Sequence, residues 1–141
     1  MRNLKLKQVL PVDTTETLQK VKETPGLHIM GDLYDCECED RFLVDSALLI
    51  ETCLRLVQKA GLSAVGQYFH QFGGGGGVTG MVVLAESHMS IHTWPEKRYV
   101  TVDVYVCSYT QDNRPKARKL YESLLATFKP AHENVHSAER L

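Results

Sequence analysis

The sequence predicts an α+β fold: a two-layer sandwich in which helices cover one face of a mostly antiparallel sheet. Two segments carry apolar residues at helical spacing, and several others alternate apolar and polar residues with the period of two that strands have. The predicted order is strand, helix, several strands, helix, strand. With 141 residues, of which 43% are apolar, the chain can bury the core of one domain.

The main domain is predicted to span residues 26–141, and residues 1–25 form a predicted N-terminal extension. Within the extension, apolar residues in 4–9 favour a short strand. Residues 13–23 favour a short helix, because their first residues have the spacing of a capping box and a Pro-Gly pair follows.

The first part of the main domain predicts a strand, a turn and a helix. Residues 27–34 alternate as a strand does. The polar turn DCECED separates this strand from a helix predicted over 41–60. The helix is expected to pack through one apolar stripe, which consists of Leu43, Leu49, Ile50, Cys53, Leu54 and Val57.

The second part of the main domain is rich in predicted strands. Residues 63–72 contain many aromatic and branched side chains, which favour a strand. Five glycines follow at 73–77, then a predicted strand over 78–86 and a turn-like region over 87–96. Residues 98–107 alternate most regularly, with four valines on one face. The other face of that strand carries Tyr99, Thr101, Asp103, Tyr105 and Cys107.

The final segments predict a helix, followed by a tail for which the sequence leaves two alternatives. Residues 115–128 favour a helix with Pro115 at or near its first position. Its predicted buried stripe is Ala117, Leu120, Tyr121, Leu124 and Phe128. Residues 131–141 favour either an edge strand or a disordered tail.

Composition and charge exclude several function classes. A net charge of −1 argues against nucleic acid or an anionic membrane as a partner. We expect a cytoplasmic protein, since the first residues lack the apolar core of a signal peptide and no apolar run approaches the ~20 residues of a membrane span. The four cysteines are expected to be reduced thiols, and the Cys36–Cys38 pair lacks the spacing of a zinc site, so no metal is expected.

Reactive side chains are concentrated between Thr79 and Cys107. Glu86, Ser87 and His92 lie between them. Each residue alone is weak evidence: a serine beside a histidine could belong to a hydrolase, but no GxSxG motif surrounds it. A single buried cysteine usually only packs in a core.

Taken together and in this order, these residues resemble the S-adenosylmethionine decarboxylases of bacteria and archaea. ESHMSIHTWPE is similar to the processing-site signature of that family, GVTGMVVLA to the strand before it, and VTVDVYVC to the strand with the catalytic cysteine. The resemblance continues upstream through YFHQF and GLHIMGDLYDC. It covers about residues 26–128.

The resemblance implies that the chain cuts itself between Glu86 and Ser87, giving a β chain of residues 1–86 and an α chain of residues 87–141. The Ser87 hydroxyl would attack the Glu86 carbonyl and turn the amide into an ester. His92 matches the family's processing histidine and would take the Cα proton of Ser87. Thr79 stands where the family usually has a serine that assists this step. The cofactor would be a pyruvoyl group derived from Ser87.

The family's second stage is decarboxylation. The pyruvoyl carbonyl would form a Schiff base with the substrate amine and draw off electrons as carbon dioxide leaves. Cys107 matches the family's proton donor. Phe72 matches an aromatic residue that stacks on adenine, Glu96 an acidic residue that holds the ribose, and Trp94 is expected to line the same pocket. For Phe72 and Trp94 the alternative is core packing. His70, His88 and Asp103 are weaker candidates.

One feature departs from the family, and it leaves the substrate open. The loop Gly73–Gly77 replaces a short loop that usually contains proline or a bulky residue, so we expect it to be mobile or closely approached by a ligand or partner. S-adenosylmethionine, for spermidine synthesis, is the first substrate hypothesis. A free amino acid such as arginine or ornithine is the second, and an uncleaved, inactive binding partner is the third. The resemblance also implies a homodimer of processed protomers whose sheets pack together, with active sites at or near the interface.

Overall fold

The computed structural model describes residues 23–141, and the strand and helix expected in the N-terminal extension lie outside this range. The fold is a six-stranded sheet with all neighbouring strands antiparallel, in the order β2-β3-β4-β5-β1-β6. The strands are β1 Gly26–Cys36, β2 Ala64–Gln71, β3 Val78–Leu84, β4 Ser87–Trp94, β5 Tyr99–Val106 and β6 Pro130–Arg140. The helices are α1 Arg41–Val44, α2 Ser46–Lys59 and α3 Arg114–Phe128, and a 3-10 turn covers Pro95–Lys97.

The α+β prediction is confirmed, with α2 and α3 packed on the same face of the sheet. The core lies between these two layers, because alternate residues of each central strand point towards the helices. In β5 the four inward residues are the predicted valines, and all are buried. The stripe predicted for α3 is buried as well, from Ala117 to Phe128.

The sequence predicted a turn-like region over residues 87–96. Most of this region is instead the central strand β4. Met89, Ile91 and Thr93 point inward and are buried, whereas His88, Ser90, His92 and Trp94 alternate with them. The prediction was wrong because the outer face of this strand is polar and aromatic. Its alternation is therefore easily mistaken for a polar turn.

The helix predicted over 41–60 is divided at Asp45. The backbone of Asp45 is extended, with φ −105° and ψ 102°, and its carboxylate accepts a hydrogen bond from the N–H of Leu48 at 3.1 Å. Asp45 is therefore the N-cap of α2, which separates it from the short helix α1. Leu49, Cys53 and Val57 of the predicted stripe are buried, together with Thr52 and Leu56, while Ile50 and Leu54 are half-buried.

The C-terminal segment forms the edge strand β6, one of the two alternatives that the sequence left open. It pairs with β1 along most of its length. Two side-chain contacts join it to α3: Tyr121 donates to Glu133 at 2.8 Å, and Arg114 donates to Glu139 at 3.0 Å. The helix layer thus holds the last strand in place.

The other face of the sheet, which we call the open face, is not covered by any helix among the described residues. It carries polar side chains from all six strands and several exposed apolar ones. The apolar residues on it are Tyr34, Tyr68, Met81, Val83 and Trp94. Within residues 23–141, no helix is long and apolar enough to cross a membrane.

Candidate active site

The site residues predicted from the sequence form two groups along β4. One group surrounds its C-terminal end and includes Thr79 of β3. The other surrounds its N-terminal end, where Ser87 begins the strand and the end of β5 lies opposite: Ser87 is paired with Val106, the residue before Cys107. The antiparallel pairing of β3, β4 and β5 creates both groups.

The first group lines a cavity of about 310 Å³, which we call the aromatic pocket. It is lined by Phe72, Thr79, His92, Trp94 and Glu96, together with Thr93 and the backbone of Gly76 and Gly77. Thr79 and His92 are cross-strand partners, and their Oγ1 and Nδ1 atoms are 3.1 Å apart. All three residues predicted to bind substrate thus lie beside the two predicted to assist processing.

A row of aromatic rings extends from this pocket across the open face. Trp94 stacks on Tyr99 with centroids 5.1 Å apart, and Tyr99 stacks on Tyr34 at the same distance. Burial, with the nearby carboxylate of Asp32, raises the pKa of Tyr99 to about 12, so its phenol stays neutral. The pocket therefore has a flat, uncharged aromatic wall with one carboxylate, Glu96, at its edge.

The glycine loop 73–77 forms part of the pocket through its second half. The N–H of Phe72 donates to the carbonyl of Gly77 at 3.0 Å, which closes the loop. A Cβ atom at Gly76 would lie 2.9 Å from the Cβ of Phe72, whereas a Cβ at Gly73 would meet nothing within 4 Å. Gly74 and Gly75 have φ of 67° and 73°, which other residues rarely adopt. The tip of the loop is therefore open, and its base is closely packed.

The second group lies where the chain turns from β3 into β4. The carboxylate of Glu86 accepts a hydrogen bond from the N–H of Ser63 at 3.2 Å, and the carbonyl of Glu86 accepts one from the N–H of Cys107 at 2.8 Å. A cavity of about 270 Å³ lies beside these groups. We call it the Cys107 pocket; it is lined by Ala85, Glu86, Cys107, Tyr109, Thr110, Gln111 and Asn113.

The two groups are far apart within one chain. Ser87 and His92 are five positions apart on a regular strand, so roughly 17 Å of extended backbone separates their Cα atoms. The structure therefore brings Thr79 and His92 together, and Glu86, Ser87 and Cys107 together. It does not bring the first pair to the second set.

Sequence reasoning missed the loop that follows Cys107. Asn113 is 3% exposed, and its Nδ2 donates to the Cys107 carbonyl at 2.9 Å. Ser108, also buried, accepts a hydrogen bond from the N–H of Asn113 at 3.2 Å. The available signal was an asparagine directly before a helix that begins Arg-Pro, a position that favours a side chain bonded to nearby backbone.

The weaker candidates lie on the open face. His28 and Asp103 are 3.0 Å apart and form a partly buried pair. The ring of Tyr105 contacts His28, His88 and the guanidinium of Arg140, at centroid distances of 5.5, 5.8 and 4.5 Å. His70 contacts Phe72 edge-on at 4.6 Å. The polar second face predicted for residues 98–107 thus forms a connected network.

Comparison with known proteins finds relatives that carry the name of the same enzyme. The S-adenosylmethionine decarboxylase proenzyme of Sulfurihydrogenibium sp. (strain YO3AOP1) is 40% identical to this chain over 121 residues, which cover 85% of each chain. The proenzyme of the same name from Pyrobaculum aerophilum is 41% identical over 117 residues, or 82% of this chain and 87% of that one. The crystal structure of the adenosylmethionine decarboxylase from Aquifex aeolicus VF5 superposes with a TM-score of 0.73 at 34% identity, covering 83% of this chain and 91% of the other.

The sequence profile of S-adenosylmethionine decarboxylase matches residues 27–141. This range includes the C-terminal segment, which the resemblance based on sequence motifs had left out. It does not include the N-terminal extension. The profile, the relatives and the superposed structure all agree on the same assignment. The chain therefore belongs to the S-adenosylmethionine decarboxylase family.

Proposed function

We propose that this protein is a self-processing decarboxylase that converts S-adenosylmethionine to its decarboxylated form and carbon dioxide, as the names of its relatives describe. The observation that carries the proposal is the hydrogen bond from the Cys107 N–H to the Glu86 carbonyl, next to Ser87. It joins the bond to be cut and the residue assigned to catalysis in one rigid unit. The reaction would supply aminopropyl groups for spermidine synthesis in the cytoplasm.

Cleavage begins at this polarised carbonyl. The Ser87 hydroxyl attacks the carbonyl carbon of Glu86, the C–O bond forms, the C–N bond breaks, and the amine takes the hydroxyl proton. Negative charge develops on the Glu86 oxygen during the attack, where the Cys107 N–H already donates. The resulting ester is then opened when a base removes the Cα proton of Ser87, which releases the new carboxylate of Glu86 and leaves a dehydroalanine at position 87. Addition of water to this dehydroalanine and loss of ammonia would give the pyruvoyl group.

His92 is the base that the proposal assigns to this second step. Thr79 Oγ1 lies next to its Nδ1. In the tautomer in which Nδ1–H donates a hydrogen bond to that oxygen, Nε2 carries a free lone pair and can accept a proton. Thr79 therefore supports His92 in the form that a base requires. Threonine keeps the hydroxyl of the serine usual in the family and adds a methyl group, so we expect the same role with an altered rate of processing.

The residues around Ser87 fit a pyruvoyl group made from the chain itself. Ser87 follows Glu86, whose carboxylate accepts a hydrogen bond from Ser63 and whose carbonyl accepts one from Cys107. The Cys107 pocket lies beside this turn. The pyruvoyl group supplies an electron-withdrawing carbonyl when carbon dioxide leaves. Cys107 then delivers a proton to the former α carbon of the substrate, and a thiol is an adequate acid for this task.

The proposal requires a second copy of the chain. A separation of roughly 17 Å prevents the His92 of one chain from serving its own Ser87. The open face presents Tyr68, Met81 and Val83 to solvent with exposures of 71%, 44% and 44%, as expected of a surface that packs against another sheet. A homodimer packed through this face would bring the aromatic pocket of one copy to the Cys107 pocket of the other.

In such a dimer the aromatic pocket would bind the nucleoside. Phe72 and Trp94, with exposures of 49% and 37%, are too open to be core residues and offer flat surfaces to adenine. Glu96 would accept hydrogen bonds from the ribose hydroxyls. Binding the nucleoside in one chain directs the amino acid end of the substrate to the other chain.

Intact mass spectrometry and a substrate panel test the proposal. Purified protein should give two fragments, 1–86 and 87–141, and release carbon dioxide from S-adenosylmethionine. Ser87→Ala should abolish both cleavage and turnover. Cys107→Ala should still cleave but lose turnover by about a hundredfold or more.

Three results would contradict the proposal. A chain that remains intact after long incubation and has no activity would indicate an inactive partner. Turnover of arginine or ornithine alone would assign a different substrate to the same chemistry. Normal turnover by Cys107→Ala would remove that residue from the mechanism.

A further inference from the structure

The loop between β5 and α3 contains a side chain whose contacts are directed at Cys107. Asn113 stands six residues after Cys107, and its Nδ2 reaches back across the loop to the Cys107 carbonyl at 2.9 Å. The N–H of the same Cys107 donates to the Glu86 carbonyl at 2.8 Å. The Cα of Cys107 is therefore held on both sides, once by the cleavage turn and once by Asn113.

Burial makes this arrangement rigid. Asn113 is 3% exposed, and its own N–H donates to Ser108 Oγ at 3.2 Å. The side chain lines the Cys107 pocket together with Glu86 and Cys107. A loop that was required only to connect β5 to α3 could be closed by its backbone and by Ser108, without a buried amide.

The Oδ1 atom of Asn113 is the informative one. It is buried, and it is the one side-chain nitrogen or oxygen in the described residues that is fully buried without a hydrogen-bond partner. An orphan acceptor of this kind costs stability. What the amide adds over an apolar side chain is the bond from Nδ2 to Cys107. Such local losses of stability are typical of functional positions.

We propose that Asn113 is a positioning residue for Cys107. It fixes the backbone of Cys107 so that the thiol points at the carbon to be protonated. Asn113 acts through Cys107, by the bond from its Nδ2 to the Cys107 carbonyl. The inference rests on the proposed function, because it needs Cys107 to be the proton donor.

A double-mutant cycle measures this coupling. Asn113→Ala should lower kcat by about tenfold or more, with KM changed by less than about twofold, because a small displacement of a catalytic group is costly. In the Cys107→Ala background, Asn113→Ala should cause no further loss, since there is no thiol to position. A residue with only a structural role would lower the activity of both backgrounds by the same factor, and that result would overturn the inference.

A second readout does not require the cofactor. In the uncleaved Ser87→Ala chain, Cys107 is the accessible thiol, because Cys36, Cys38 and Cys53 are 0%, 5% and 1% exposed. Adding Asn113→Ala should increase the rate at which iodoacetamide labels Cys107 severalfold, since the loop no longer holds it. Ser108→Ala, which removes a bond in the same loop that does not reach Cys107, should leave the rate within about twofold. An unchanged rate in the Asn113→Ala chain would also overturn the inference.

Controls separate the possible failures. If Asn113→Ala does not fold, Asn113→Asp keeps the shape but cannot donate to the Cys107 carbonyl, and it should show the same loss of kcat. If Cys107→Ala retains normal turnover, the role of Cys107 in the proposed function is wrong. If Cys107→Ala is slow and a folded Asn113 variant is fully active, the inference alone is wrong.

Discussion

Among single residues, Gly76 lies in close steric contact with Phe72, whose ring lines the aromatic pocket. A methyl group there would stand 2.9 Å from the Cβ of Phe72 and 3.0 Å from the carbonyl oxygen of Gly73. The first distance is shorter than two carbon atoms tolerate and the second is tighter than most such contacts, so Phe72 or the loop itself must shift. The position of the Phe72 ring, which the proposal assigns to adenine binding, thus depends on the absence of a side chain at Gly76.

We therefore expect Gly76→Ala to raise KM for S-adenosylmethionine by about tenfold, equivalent to about 1.4 kcal/mol of binding free energy, with little change in kcat. Self-cleavage should proceed normally, since the three atoms nearest to a Cβ at Gly76 belong to Phe72 and Gly73 and not to Thr79 or His92. Gly73→Ala is the matched control, because a Cβ there meets nothing within 4 Å. Equal KM values for the two variants would show that the loop does not position Phe72.

The sequence predicted a set of candidate site residues, whose roles stay predictions, but not how they are distributed between the two groups along β4. Ser87 and His92 are five positions apart in the chain, and a turn over 87–96 would have brought them together. Because the segment is instead the strand β4, the same spacing separates them. The contribution of Asn113 could not be predicted, since it depends on a contact that forms only when the loop folds back on Cys107.

Among the secondary-structure elements, β6 depends on contacts with α3. The Tyr121 hydroxyl donates to Glu133 at 2.8 Å, and Gly31 of β1 leaves space for the ring, since a Cβ there would lie 2.5 Å from that hydroxyl. The alternation within 131–141 was too polar to decide between a strand and a disordered tail. The partners that decide it lie in α3 and β1, which explains why the sequence left the question open.

Removing the Tyr121 hydroxyl should weaken this connection. We expect Tyr121→Phe to lower the free energy of unfolding by about 1 to 2 kcal/mol, near the lower end of the range for a hydrogen bond to a charged group, because Glu133 is exposed to water. Urea unfolding followed by circular dichroism measures the difference. Tyr68→Phe is the control, because Tyr68 is 71% exposed and its hydroxyl should matter by less than about 0.5 kcal/mol. Equal losses in the two variants would remove the Tyr121–Glu133 bond from the account of β6.

For the whole molecule, buried thiols predict a loss of stability at alkaline pH. Burial raises the pKa of Cys53 from its ordinary value of 9.0 to about 12, and burial, together with Cys38, raises that of Cys36 to about 11. Between pH 9 and these values the unfolded chain has lost the proton and the folded chain keeps it. The contribution of these protonated thiols to the stability of the fold is therefore complete below about pH 9. It is lost as the pH rises from there through the raised pKa values of about 11 and 12.

Each such thiol should lower the free energy of unfolding by at most about 1.4 kcal/mol per pH unit in this interval. Urea midpoints measured between pH 8 and 11 should fall steadily in the wild-type chain. Cys53→Ala is less stable at pH 8 because it leaves a cavity, but its stability should fall less steeply above pH 9. Parallel curves for the two proteins would show that Cys53 does not ionise on unfolding in this range.

The division of the site between two chains leads to the most demanding prediction. Ser87→Ala keeps Thr79 and His92 but has no hydroxyl to attack, and His92→Ala keeps Ser87 but lacks the base. Each should remain uncleaved alone. In a mixed dimer, the Ser87 of one chain would meet the His92 of the other, so co-expression should restore cleavage of the His92→Ala chain and some turnover. Analytical ultracentrifugation must first show that the variants form dimers with each other. Mixed dimers without any cleavage would mean that the two pockets do not meet across the open face, and the composite site would have to be abandoned.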